Sequence, residues 1–145
     1  MERSIQNILL AEDNNDHYVN FVQAVNSISN QINVMRVDNG YSLLSMLETQ
    51  INPDVIFLDI DMPYKGGLQI LEELQERDRF KNTPIVVLSG SAFDLMIKIA
   101  YDLGAILFIR KYNRPEDLQA CLKNVFKNPY FLSCTQPPWE EFMIE

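Results

Sequence analysis

The chain has 145 residues, 47% of them apolar and 22% charged, which fits one soluble domain around a single core and argues against disordered, collagenous and membrane-spanning classes. Twelve basic against twenty acidic residues leave a formal charge of −8, which opposes the phosphate attraction behind most nucleic-acid affinity, so direct DNA or RNA binding is not expected. Cys121 and Cys134 lack metal-ligand spacing, and Cys121 fits an apolar helical face, so core packing is expected there.

Short apolar runs alternate five times with stretches of helical period, the pattern of a parallel sheet with helices on both faces. Before the first run, Met1-Glu2-Arg3-Ser4 precedes only a brief apolar stretch, so neither a signal peptide nor a spanning helix is expected and the location is read as cytoplasmic. The first strand, about 7–11, ends in Glu12 and Asp13. After the Asn14-Asn15 cap region, Tyr18, Phe21, Val22, Val25 and Ile28 recur at three- and four-residue spacing and predict an amphipathic helix. Val34 to Val37 form a second strand. Asp38-Asn39-Gly40 then supplies a turn, and Leu43, Leu44, Leu47 and Ile51 trace a helix that Pro53 closes.

The third strand, Asp54 to Asp59, carries Val55-Ile56-Phe57-Leu58, the continuous apolar run of a strand covered on both faces, so the charge at its end has left the core for the rim. A loop with Pro63 and Gly66-Gly67 leads to a third helix with Ile70, Leu71 and Leu74 inward, and the polar stretch Glu76 to Thr83 returns to a fourth strand, Ile85 to Ser89. Leu95, Met96, Ile99 and Leu103 define the fourth helix, Gly104 suits a left-handed cap, and Ala105 to Ile109 read as strand five. The fifth helix follows Pro115, with Glu116 and Asp117 at its positive end and Leu118, Cys121, Leu122, Val125 and Phe126 on one face. Residues 1–127 thus form the expected domain. Residues 128–145, with Pro129, Pro137, Pro138 and the aromatics Tyr130, Phe131, Trp139 and Phe142, read as a tail without a domain of its own, lying against the body or partly disordered, or else meeting a partner.

Right-handed crossovers bring the ends of all five strands to one edge, so Glu12, Asp13, Asp59, Ser89 and the residues after strand five can meet there. Three carboxylates held close repel one another, and a hard divalent cation, Mg²⁺ first, relieves that repulsion through oxygen ligands. Lys111 adds a compact positive charge and Ser89 a hydroxyl donor. An Asp nucleophile, a cation, a lysine and a hydroxyl are the parts needed for phosphoryl transfer to a carboxylate.

These residues resemble the receiver domain of the two-component response-regulator family over about 5–127. Glu12-Asp13 matches its acid pair, and Asp59 matches its phosphoacceptor in the stretch Asp59-Ile60-Asp61-Met62-Pro63 with Gly67 beyond. Ser89 falls at the hydroxyl switch position, Lys111 at the lysine position and Phe108 at the aromatic switch position. The resemblance implies a flavodoxin-like, doubly wound fold of five parallel strands in the order 2-1-3-4-5 with five helices. It also implies phosphoryl transfer from a sensor histidine kinase or phosphotransfer protein to Asp59. Asp13 and Asp59 are then the direct Mg²⁺ ligands, Glu12 a ligand through water and Asp61 one through its backbone carbonyl. Lys111 pairs with the phosphoryl group, Ser89 swings toward it, and Phe108 turns inward, changing the surface of helix four, strand five and helix five.

Such a protein is no enzyme in the ordinary sense; it assists its own phosphorylation and dephosphorylation. With no output domain in the sequence, signalling is expected through a downstream protein target, onward phosphotransfer or a homodimer. The chain departs from the family at Tyr112, where proline usually follows the lysine. A trans bond is the expectation there, because a cis bond before a non-proline costs about 3–4 kcal/mol. Gly90 beside Ser89 leaves the phosphoryl group open to water, and Asp61 and Ser91 flank the site. His17 has no second histidine or cysteine beside it, which predicts a surface role. Two other readings compete. One is an interaction module that is not phosphorylated. The other is a haloacid-dehalogenase-type phosphatase, disfavoured because the acid pair lies upstream of the nucleophile strand and no substrate cap is present.

Overall fold

The structure is a computed structural model that describes residues 5–49, 51–62, 66–90, 93–111 and 114–144. Apolar runs become strands β1 (Asn7–Ala11), β2 (Asn33–Val37), β3 (Val55–Asp59), β4 (Ile85–Ser89) and β5 (Leu107–Arg110). Between them lie helices α1 (Asn15–Ile28), α2 (Gly40–Leu47), α3 (Gly67–Gln75) and α4 (Asp94–Asp102), with α5 (Pro115–Lys127) after β5. Asparagine side chains start three helices: Asn14, Asn39 and Asn128 accept from amides in the first turn that have no helical partner. At the other end of α2, the Arg79 guanidinium donates to the Leu47 carbonyl at 2.6 Å and also to the Ile51 carbonyl.

With a short β6 (Met143–Ile144), the sheet has order β2-β1-β3-β4-β5-β6 and every pairing is parallel. One face packs Leu9, Ile56, Leu58, Val87 and Phe108 against α2, α3 and α4. The other packs Leu10, Phe57, Val86, Leu88 and Ile109 against α1 and α5. Among the described residues no helix is long and apolar enough to cross a membrane.

The expected count of five strands and five helices is corrected to six and six among the described residues. Residues 128–144 supply α6 (Pro129–Ser133) and β6 (Met143–Ile144), joined through a turn of 3₁₀ helix, Trp139–Glu141. A two-residue strand has no readable period; it is held by the burial of Phe131 and Phe142 and by pairing of Met143 and Ile144 with Phe108 and Ile109. Two helical stripes also differ. Ile51 lies past the end of α2, and α4 buries Ile97 and Ala100 while Leu95 is 71% exposed. The α4 sequence is apolar on more than one side, and the tail covers Tyr101, so the buried face is rotated from the expected one, with Met96 and Leu103 only partly covered. Gly104 has φ +93° as its cap position requires.

Candidate functional site

Parallel pairing sets the strand ends level: Ala11 faces Val37 and Leu58, Asp59 faces Leu88, and Ser89 faces Arg110. Two further backbone bonds extend the ladders by a residue, Glu12 N to the Val37 carbonyl at 2.9 Å and Lys111 N to the Ser89 carbonyl at 2.8 Å. The acid loop and Lys111 are thereby seated on either side of Asp59. From β2, Arg36 ties the acid loop down: its Nε donates to the Glu12 carbonyl at 2.9 Å, Nη2 to the Asp13 carbonyl at 3.1 Å and Nη1 to Asn15 Oδ1 at 2.7 Å.

Asp59 is 1% exposed and Glu12 2%. Lys111 Nζ lies 2.8 Å from Asp59 Oδ2 and 2.8 Å from Glu12 Oε1, so one ammonium bridges two buried carboxylates. The second Asp59 oxygen, Oδ1, accepts the Asp61 amide at 2.8 Å. Burial, with the neighbouring Glu12 carboxylate, pushes Asp59 up to about 6, against the opposing pull of Lys111. Burial works against the Lys111 charge, yet its hydrogen bonds to Asp59 and Glu12 outweigh that and hold it above the usual lysine range. Such a pair leaves a surplus of buried negative charge, which a cation would relieve.

Carboxylate oxygens of Glu12, Asp13 and Asp59 lie within 4.8 Å of one another. The set is all hard oxygen, with Asp13 exposed at the mouth, and it fits a hard cation such as Mg²⁺ better than a thiophilic metal. Ser89 is fully buried, and its Oγ donates to Asp61 Oδ2 at 3.2 Å while the Gly90 amide donates to the same oxygen at 3.0 Å. The Asp61 side chain thus holds the hydroxyl that the sequence assigns to the phosphoryl group. Phe108 is fully buried, its ring 6.2 Å from that of Phe142.

The structure therefore brings together Glu12, Asp13, Asp59, Asp61, Ser89 and Lys111, and places Phe108 in the sheet beneath them. It adds two residues that sequence reasoning missed. His17, expected at the surface, is half-buried with Nδ1 3.1 Å from Lys111 Nζ and 3.6 Å from Glu12 Oε1. Its signal was its place in the first turn of a helix that starts beside the acid pair. Arg36 carried a signal too, as the one cation in β2 and level with Leu10. Pro63, Ser91 and the Lys111–Tyr112 bond lie outside the described residues.

A doubly wound parallel sheet with acids, a hydroxyl and a lysine at its carboxyl edge defines a receiver class of protein, and residues 8–123 match the family model of the response regulator receiver domain. The chain belongs to that family. Among its relatives, the two-component response regulator ORR5 of Oryza sativa subsp. japonica is 29% identical over 99 residues, 68% of this chain and 74% of the rice protein. The crystal structure of the phosphorylated cyanobacterial phytochrome response regulator RcpA superposes with a TM-score of 0.80 at 27% identity, over 93% of this chain and 99% of that one. The Mn²⁺-bound response regulator Rcp1 shares the fold, with a TM-score of 0.77 at 22% identity over 92% of this chain and 99% of that one.

Proposed function

We propose that Asp59 is a phosphoacceptor that takes a phosphoryl group from the phosphohistidine of a sensor histidine kinase or phosphotransfer protein. The observation that carries this reading is the Lys111 ammonium shared between Asp59 and Glu12 at 2.8 Å each. A positive charge so placed, over a carboxylate held at the rim of the sheet, is positioned for the oxygens of an arriving phosphoryl group. The solved RcpA is itself a phosphorylated protein, which supports carrying the reaction to a relative of the same fold.

In the reaction the phosphorus–nitrogen bond of the donor breaks, a bond forms from an Asp59 carboxylate oxygen to phosphorus, and the freed imidazole takes a proton from solvent. Asp13 and Asp59 would hold Mg²⁺ directly, Glu12 through water and Asp61 through its backbone carbonyl. Bound there, the ion would neutralise charge on the transferring oxygens. Lys111 leaves Asp59 for the phosphoryl group, and Ser89 gives up Asp61 to donate to it. Loss of that contact frees the space toward Phe108, and the α4, β5 and α5 surface then changes for a downstream target, onward transfer or a second copy. The chain acts as a signalling acceptor and turns over no substrate other than its own phosphoryl group. Its place in the cell is proposed as the cytoplasm.

Intact-mass measurement after incubation with Mg²⁺ and phosphoramidate tests the proposal. Wild type gains one phosphoryl mass and Asp59→Asn gains none; equal labelling of the two proteins overturns it. Hydrolysis of a small phosphate ester that depends on Asp59 would instead favour the phosphatase reading.

A further inference from the structure

Among the described residues, three acceptors surround the Lys111 ammonium: Asp59 Oδ2 and Glu12 Oε1 at 2.8 Å, and His17 Nδ1 at 3.1 Å. An ammonium carries three N–H donors and accepts nothing. Three partners therefore saturate it, and His17 Nδ1 must present its lone pair, which leaves the ring proton on Nε2. The imidazole is not a passing surface group. It stands in the first turn of α1, where Asn14 Oδ1 accepts the His17 amide at 3.0 Å, and it lines a small cavity with Asn20, Phe21, Lys111 and Leu118.

We propose that His17 is a positioning residue for Lys111, the one acceptor of the ammonium among the described residues that stands outside the acidic cluster. The inference rests on the reading of Lys111 as the partner of the phosphoryl group and deepens it. When Asp59 becomes an acyl phosphate, its charge passes outward to the phosphoryl oxygens, and Glu12, which would hold Mg²⁺ through water, would be shared between the ion and Lys111. Two of the three Lys111 acceptors thus belong to the acidic cluster over which the reaction redistributes charge. The imidazole Nδ1 is an acceptor carried on a helix, so it keeps the long lysine stem at the mouth of the site while the ammonium turns from carboxylate to phosphoryl oxygen. Without it the freed N–H bond points into water, and the side chain regains the rotamer freedom that its alignment had removed.

The test compares His17→Leu, which keeps the bulk and removes the acceptor, with His17→Asn, whose amide oxygen stands the same number of bonds from the backbone as Nδ1. Binding of beryllofluoride with Mg²⁺ and the rate of labelling by phosphoramidate are measured on each. The leucine variant is expected to lose about 3- to 10-fold in both, the range of one hydrogen bond, and the asparagine variant to recover most of the loss. Nitrogen-15 NMR of the wild-type ring at alkaline pH gives a readout that needs neither metal nor phosphodonor, and that survives if the leucine variant fails to fold. An acceptor Nδ1 with the proton on Nε2 supports the proposal; a protonated Nδ1 overturns it. Equal behaviour of leucine and wild type, or failure of asparagine to rescue, also overturns it. A wild type that neither binds beryllofluoride nor takes phosphate marks failure of the phosphoacceptor reading instead, with the ring NMR still deciding the His17–Lys111 contact.

Discussion

The Phe108 amide donates to the Phe142 carbonyl at 3.0 Å, and the two rings, both fully buried, stand 6.2 Å apart. The strand that carries Phe108 is thus not an open edge. Its outer side is paired with β6, and Tyr101, with Trp139 stacked on Phe142, closes the aromatic cluster around it. Parallel pairing of two residues alone could not hold the tail there. The buried side chain of Phe142, with that of Phe131, supplies the stabilisation.

Phe142→Ala is accordingly expected to destabilise the fold by about 3–5 kcal/mol, the cost of a large apolar truncation that leaves a cavity. Thermal or urea unfolding measures the loss. Trp139 is the single tryptophan, so its fluorescence reports the tail separately. Its emission is expected to move to longer wavelength in the variant under native conditions. A stable variant with unchanged emission would mean that other contacts hold β6.

The tail also shows where the sequence stops being legible. Strands β1, β3, β4 and β5 could be read because each is an apolar run covered on both faces, and β2, half-exposed at the edge, because a short apolar stretch precedes the Asp38-Asn39-Gly40 turn; the acids at the ends of β1 and β3 stood out against the buried runs. Strand β6 is too short to carry a pattern, and its parallel partner is distant in sequence. The phase of α4 was hidden because its apolar residues offer more than one stripe, and contact with the tail selects among them. At the site, the residues of chemical interest were visible by type and spacing. His17 and Arg36 were not, because their roles depend on side-chain direction across neighbouring elements.

Asp59 gives the chain a pH signature. Its folded-state pKa is about 6 against an ordinary 3.8. A carboxyl raised in this way contributes fully to stability below its unfolded value, and the contribution is lost as pH rises through the folded value. Asp59→Asn cannot ionise and escapes the loss. The variant is expected to match wild type near pH 4 and to exceed it by about 1–3 kcal/mol at pH 7 and above. Urea denaturation across that range, without divalent metal, makes the comparison. An advantage that does not grow with pH would place the buried charge elsewhere.

The same surplus of charge predicts stabilisation by Mg²⁺. An ion that binds only the folded chain adds about 2.7 kcal/mol at a hundredfold excess over its Kd, so the melting temperature is expected to rise with Mg²⁺ and to return on chelation. Asp13→Asn removes the charge of the exposed member of the acidic cluster without opening the core, and is expected to weaken the response about tenfold in Kd or more. Sodium chloride at matched ionic strength controls for screening. An equal response to sodium would show that no specific cation site exists.

Gly67 tests how tightly the end of β3 is held by α3. A Cβ at this position would come 2.4 Å from the Ile60 Cα and 2.9 Å from the Asp59 carbonyl oxygen. Both are backbone atoms, so the clash cannot be relieved by turning a side chain, and either the end of β3 or the start of α3 must move. Gly67→Ala is expected to cost about 1–3 kcal/mol in stability, as overpacking does. It is also expected to slow phosphoramidate labelling by about tenfold or more, since small displacements of reacting groups are expensive. Gly66→Ala is the matched control: its Cβ would meet nothing within 4 Å, and its φ of −66° suits any residue. That variant is expected to melt and label like wild type. If Gly67→Ala does the same, the close approach of α3 to Asp59 is not what fixes the carboxylate.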